Sequence, residues 1–178
     1  MTAIQSAKWG VILAVSLFVM AGFWALHTVR ITLNGSSSLP DHAYVMWGWP
    51  KAIWRGAYIA AEPPEVYAER FRGFFFTKEV FGLPGDIISH DGAGAVCVRG
   101  SCFPLALKDG KPFAPALAEG VIPEGRYAAF GTSADSLDSR YAHIGLFPIE
   151  RIAAVGVAAN IIPHWKELKA WADARGLR

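Results

Sequence analysis

Three short stretches of the chain carry the residue types of a hydrolytic site. The first is Phe74 to Asp86, F-F-F-T-K-E-V-F-G-L-P-G-D, which sets one lysine inside the most aromatic run of the sequence. If Phe74 to Phe81 is extended, Phe74, Phe76, Lys78 and Val80 share one face, and Phe75, Thr77, Glu79 and Phe81 share the other. An ammonium among apolar neighbours loses hydration that its neutral form needs less, so its pKa falls and it becomes a base near neutral pH. Read alone, the same pattern also suits a snorkelling lysine, its stem on the phenylalanines and its amine in water. The second stretch is Asn34 to Pro40, N-G-S-S-S-L-P, a loop by composition, in which Pro40 holds Leu39 out of the helical region. Alone it reads equally as a flexible serine-rich linker. The third is Gly131 to Tyr141, G-T-S-A-D-S-L-D-S-R-Y, a polar loop whose bland reading is a solvated segment with an exposed Asp138–Arg140 pair worth under about 1 kcal/mol. Taken together they suggest a nucleophilic serine. Its hydroxyl needs a base, and a lysine of depressed pKa can take the proton without histidine. His42, His90 and His143 are isolated in loops, with no local motif to support a Ser-His-Asp triad.

The elements around these stretches set where they can act. Trp9 to Leu26 contains no ionisable side chain and is flanked by Lys8 and Arg30. At ~1.5 Å per residue it spans about 27 Å, close to the hydrocarbon thickness of a bilayer. Trp9 and Trp24 fall where aromatic rings prefer the interfaces. A cleaved signal peptide is the rival, but its apolar region is shorter, and the small-residue site at Val19-Met20-Ala21 leads into further apolar residues. A retained anchor over residues 1–30, followed by a globular domain over 31–178, is the organisation expected. Cys97 and Cys102 bracket V-R-G-S, which reads as a hairpin tip closed by a disulfide and puts the globular part in an oxidising, extracytoplasmic compartment. Two lone cysteines make no zinc set, and neither a metal nor another cofactor is expected. A net charge of +2 without a basic cluster argues against nucleic-acid partners.

Between the anchor and the C-terminus the sequence reads as short strands. Gly48, Pro50 and Gly56 break Tyr44 to Tyr58 into pieces, and a short helix opens at Pro63-Pro64 and runs through Arg70 to a stop at Gly73. Ile87-Ile88-Ser89 starts another strand, Gly92-Ala93-Gly94 is a turn, Lys108 to Gly125 is an irregular arm, and Arg126 to Phe130 is a strand. Ile149 to Ile162 suits a closing strand or pair of strands. His164 to Arg175 is a short amphipathic helix with Trp165, Leu168 and Ala172 on one face and Gly176 as its stop.

Three of these segments also resemble a known family. Lys78 to Asp86 resembles the lysine box of the type I signal peptidases, whose general-base lysine precedes V-x-G-L-P-G-D. Gly131 to Arg140 is similar to their G-D-N-x-x-x-S-x-D-S-R box, and Asn34 to Pro40 to their serine box just after a transmembrane anchor. The S-x-P spacing of Ser38-Leu39-Pro40 is most similar to the conjugative-transfer peptidases of the TraF type. Departures are His42 where that branch usually has glycine, Thr132 in place of the aspartate of G-D-N, and a third box one residue short of the housekeeping form. The resemblance implies Ser38 as nucleophile, with Ser37 as the alternative, and Lys78 as general base. It implies Ser136 as the group orienting the lysine amine, Ser36 as an oxyanion-hole donor beside the backbone N–H of Ser38, and Asp138 and Arg140 as a buttressing ion pair. By their face of the strand, Phe76 and Val80 join Phe74 in lining the site, with Thr77 and Glu79 pointing away. The fold implied is mostly β, an open sheet assembly of the LexA/signal peptidase type with one N-terminal transmembrane helix and a short C-terminal helix. The implied setting is the bacterial inner membrane with the catalytic domain on the periplasmic side. The implied partners are the lipid bilayer and a membrane-inserted propilin or other exported precursor, cleaved and in this branch sometimes cyclised. A general signal peptidase and a non-catalytic, membrane-anchored assembly protein are the competing roles.

Overall fold

The computed structural model describes residues 3–34, 38–160 and 163–176. The apolar N-terminal run forms one helix, α1 (Ala3–Thr28), of which Lys8–Thr28 is long and apolar enough to cross a bilayer and is nowhere buried against the rest of the chain. No linker follows it. Strand β1 (Val29–Leu33) begins at the next residue, and the Gly48 N–H ties the helix end down by donating to the Thr28 carbonyl at 3.1 Å.

The remaining elements follow in order as β2 (Ala43–Trp47), β3 (Tyr58–Ala61), α2 (Glu65–Ala68), β4 (Phe76–Gly82), β5 (Ile87–His90), β6 (Val96–Val98), β7 (Ser101–Phe103), β8 (Leu107–Lys108), β9 (Lys111–Pro112), β10 (Gly120–Val121), β11 (Arg126–Phe130), β12 (Phe147–Pro148), β13 (Ile152–Ala158) and α3 (Trp165–Asp173). A seven-stranded sheet in the order β1-β2-β13-β3-β4-β11-β12 has every neighbouring pair antiparallel. A second sheet, β10-β5-β6-β7, packs beside it, and β8 pairs only with β9. The fold is thus mostly β with an apolar N-terminal helix and a short C-terminal one, as expected.

Burial follows the strand period. Along β4, Phe76, Lys78, Val80 and Gly82 are buried and the alternate residues half-buried. Val80 enters the main core with Ile59, Ala129, Tyr141, Phe147, Ile152 and Val155, while Ile88, Val96, Val98, Ile122, Ala128 and Phe130 form the core shared with the smaller sheet. A third cluster, Leu39, Tyr44, Met46, Tyr58 and Ala60, sits under the loop between β1 and β2. That placement seats the serine loop on apolar residues from two strands.

Cys97 and Cys102 are directly opposed across β6 and β7 and are disulfide-bonded. Arg99 and Gly100 take positive φ values of 50° and 83° between the strands, the combination of a two-residue hairpin whose twist matches its arms. Several expected boundaries move. The lysine strand starts at Phe76 rather than Phe74, because its ladder with β3 ends at the Ala61–Phe76 pair, and Phe74 is instead held in a turn by its N–H to the Phe71 carbonyl. The helix after Pro64 covers only Glu65–Ala68 before irregular turns lead to Gly73 at φ 81°. The Ile149 segment gives a 3₁₀ turn and then the single strand β13, and residues 161–162 lie outside the described part of the chain.

Candidate active site

Lys78 is delivered by β4, where it opposes Ile59 of β3 in the middle of the sheet. Only 5% of it is exposed, so the snorkelling alternative, with the amine out in bulk water, fails. Its Nζ donates to Ser136 Oγ at 2.8 Å and lies 5.8 Å from the centre of the Phe76 ring. The amine is lowered from its usual 10.5 to about 8, chiefly by burial; the Asp138 charge opposes the shift, Arg140 adds to it, and Asp135 opposes it. A substantial neutral fraction therefore exists in mildly alkaline water, the form that can accept a proton.

Ser136 comes from the loop after β11, and that loop is far from solvated. Asp138 and Arg140 are fully buried. Arg140 donates to both carboxylate oxygens of Asp138, from Nε at 2.8 Å and Nη2 at 3.0 Å, and its backbone N–H donates to Oδ1 at 3.0 Å. The rest of the guanidinium donates to the carbonyls of Pro104, Ala134 and Gly131. Asp138 in turn accepts the Gly131 N–H at 2.8 Å. An exposed ion pair is therefore the wrong description of these two residues. They form a satisfied, water-excluded frame of charge-assisted bonds that fixes the loop carrying Ser136.

Gly131 completes the frame by having no side chain. A Cβ there would stand 2.3 Å from Ser136 Oγ and 2.7 Å from the Ser38 carbonyl oxygen. Ser38 itself follows β1 in the loop seated on Leu39 and Tyr44. Its carbonyl accepts the Thr132 N–H at 2.8 Å and the Thr132 hydroxyl at 3.3 Å. The serine loop and the Ser136 loop are thus bonded to each other.

Ser38, Lys78 and Ser136 line one cleft of about 520 Å³, with Phe71, Phe74, Phe75 and Phe76 as an aromatic wall and Asp135 among its other lining residues. The expectation that Phe74 and Phe76 share this wall with Lys78 agrees with the structure. Val80 does not line the cleft: it has no exposed surface and fills the core beneath. Thr77, expected to point away, is on the lining although it lies within β4 and pairs with Ala60 of β3. Asp138 and Arg140 stand behind the wall rather than on it. Ser36 and Ser37 lie outside the described residues.

Asn34, Tyr44, Thr32, Leu33, Phe71 and Leu137 also line the cleft and were not singled out from the sequence. For Asn34 the signal was available, an Asx residue opening a tight loop, whereas Tyr44 and Leu137 are ordinary apolar positions until the sheet brings them together. Among the described residues, Asp91, Cys97 and Cys102 group closely enough to suggest a metal, but both sulfurs are consumed by the disulfide.

A mostly β fold whose cleft carries a loop serine and a buried, hydrogen-bonded lysine holds the groups that a serine-type peptidase uses. The family model described as signal peptidase, peptidase S26, matches residues 3–162, and the chain belongs to that family. No curated protein matches the chain.

Proposed function

We propose that this protein is a membrane-bound Ser–Lys endopeptidase that matures a membrane-inserted precursor, with Ser38 as nucleophile and Lys78 as general base. The observation that carries the reading is Lys78: buried, lowered to about 8, oriented by Ser136, and sharing a cleft with Ser38. Neutral Lys78 takes the hydroxyl proton as Ser38 Oγ attacks the scissile carbonyl. The tetrahedral intermediate collapses, the amine of the departing fragment leaves with the proton returned by Lys78, and an acyl-Ser38 ester remains. Water then attacks that ester with Lys78 again as base, releasing a carboxylate and free Ser38. Ser36 is proposed as an oxyanion donor beside the Ser38 N–H, a role typically worth about 3 kcal/mol.

The helix leading straight into the cleft's edge strand supports a retained anchor and a substrate cut near the bilayer, and the disulfide supports an extracytoplasmic catalytic domain. Exposed Phe74 and Phe75 on the cleft wall suit an apolar, membrane-adjacent polypeptide. The S-x-P spacing at Ser38 favours a conjugative propilin as the substrate, with the acyl-enzyme open to capture by the pilin's own amine. Family membership favours a second reading, a general signal peptidase.

Replacing Lys78 with alanine should abolish processing while the protein still folds and stays with membranes; cleavage retained by that variant sinks the mechanism. Offering a propilin beside ordinary secretory precursors separates the two roles. Broad cleavage supports the general peptidase, and a product lighter than the linear pilin by one water marks cyclisation.

A further inference from the structure

Asn34 ends at the edge of the seven-stranded sheet, immediately before the serine loop, and it holds the far side of that loop with three donors. Its side-chain Nδ2 donates to the Leu39 carbonyl at 3.0 Å and to the Asp41 carbonyl at 2.9 Å, and its backbone N–H donates to the His42 carbonyl at 2.8 Å. These acceptors flank Ser38 on its C-terminal side. From the opposite direction Thr132 holds the Ser38 carbonyl. Asp41 is fixed again: its carbonyl accepts the Tyr44 hydroxyl at 3.1 Å, and its carboxylate accepts Tyr58 at 3.2 Å and Asn160 at 3.0 Å.

An asparagine meets this requirement where its relatives in size do not. Its amide NH₂ offers two donors in one short planar group, whereas aspartate offers none when ionised, serine and threonine offer one, and glutamine is a methylene too long for the same reach. A loop tied at residues 38, 39, 41 and 42 has few ways to move its serine. We infer that Asn34 is a positioning residue for Ser38, clamping the loop so that the nucleophile is presented to Lys78 in one place. The inference rests on the reading of Ser38 as nucleophile. A residue of this kind acts on the rate of bond formation, since slack in the loop lowers the effective concentration of the hydroxyl at the scissile carbonyl.

The test uses the full-length protein in detergent or vesicles, with a precursor as substrate and an acylating penem as a probe of Ser38 followed by mass spectrometry. Asn34→Asp keeps the shape, removes both side-chain donors and sets a carboxylate against two carbonyl oxygens. Acylation of Ser38 and kcat should fall about tenfold per hydrogen bond lost, on the order of 100-fold in all. KM should stay within a few-fold, and the pH limb set by Lys78 should not move, because none of the bonds to Lys78, Ser136 or the Asp138–Arg140 pair involves Asn34. Asn34→Ala, which loses the same two side-chain donors without the added repulsion, should show a loss of the same kind and of about the same size. Wild-type kcat and acylation in both variants overturn the inference. So does a shifted pH limb, or loss of folding in both variants by circular dichroism, since each marks a general structural role. Ser38→Ala run in parallel keeps the two claims apart: if it still cleaves, the nucleophile assignment fails, whatever the Asn34 variants do.

Discussion

The most demanding check on the site is the addition of a single methyl group, Gly131→Ala. The new Cβ would lie 2.3 Å from Ser136 Oγ, 2.7 Å from the Ser38 carbonyl oxygen and 2.9 Å from Ser136 Cβ, where ordinary contacts begin at 3.4 Å. Relief requires a separation of roughly 1 Å between Gly131 and its neighbours, more than a well-packed interior yields without repacking. The backbone at 131 cannot supply it cheaply, because its N–H is held by Asp138 and its carbonyl by Arg140 at 2.7 Å. The displacement therefore falls on Ser136 and the Ser38 loop, the two groups that face Lys78. Misplacement of about 1 Å in a reacting constellation costs on the order of 100-fold in rate. The assay is kcat for precursor cleavage, with thermal melting alongside and Gly92→Ala as the control, since a Cβ at Gly92 meets nothing within 4 Å. Loss of kcat by tenfold or more in Gly131→Ala with the control unchanged is the expected result. Full activity in a folded Gly131→Ala protein would refute the reasoning that this loop and the serine loop are locked together around Lys78.

Four further expectations rest on the same structure. If Lys78 is the base, as proposed, it must be neutral to act, and with its pKa lowered to about 8 kcat/KM should fall about tenfold per pH unit below that value and level off above it; a profile flat from pH 6 to 9 contradicts the assignment. The stability consequence has the opposite origin: the folded state holds fewer protons than the unfolded chain between about 8 and 10.5, so stability rises with pH across that window. At pH 7 the cost of burying the ammonium is fully present, and Lys78→Met should raise the urea midpoint by about 1–3 kcal/mol in stability terms while removing activity. Asp138→Ala strands the buried Arg140 guanidinium and should cost about 3–5 kcal/mol by denaturant titration, whereas Glu69→Ala, which breaks a fully solvated pair with Arg72, should leave the midpoint where it was. Reducing Cys97–Cys102 opens so short a loop that about 2 kcal/mol is lost, and since neither cysteine lines the cleft, activity in the still-folded protein should persist.

What could be read from residues alone was what is local. The disulfide hairpin needed only Arg99-Gly100 between two cysteines, and the buried face of β4 needed only the alternation Phe76, Lys78, Val80. Reading Val80 as part of the site went astray because period two assigns a face and not a depth: two residues beyond Lys78, that face is already in the core with Tyr141, Phe147 and Ile152. The polar loop from Gly131 hid its nature for the opposite reason. Asp, Ser and Arg in close succession look solvated, and only a frame closed through Gly131, Pro104 and Ala134 makes them an interior. Asn34 was missed because its partners lie across an irregular loop, where no period announces a contact.

The direct passage of α1 into β1 has a metric consequence. A strand advances ~3.3 Å per residue, so the five residues of β1 place the rim of the cleft at Leu33 and Asn34 roughly 17–20 Å from the end of the apolar helix. Antiparallel pairing with β2 along all five residues and the Gly48 bond to Thr28 make that interval a stiff rod rather than a tether. The helix end is thus a datum from which the cleft's height is measured. On the proposed reading, with α1 retained in the bilayer, a precursor is cut where its own chain crosses that height, and inserting two residues after Thr28 should move the plane of cutting along the substrate instead of merely weakening its binding.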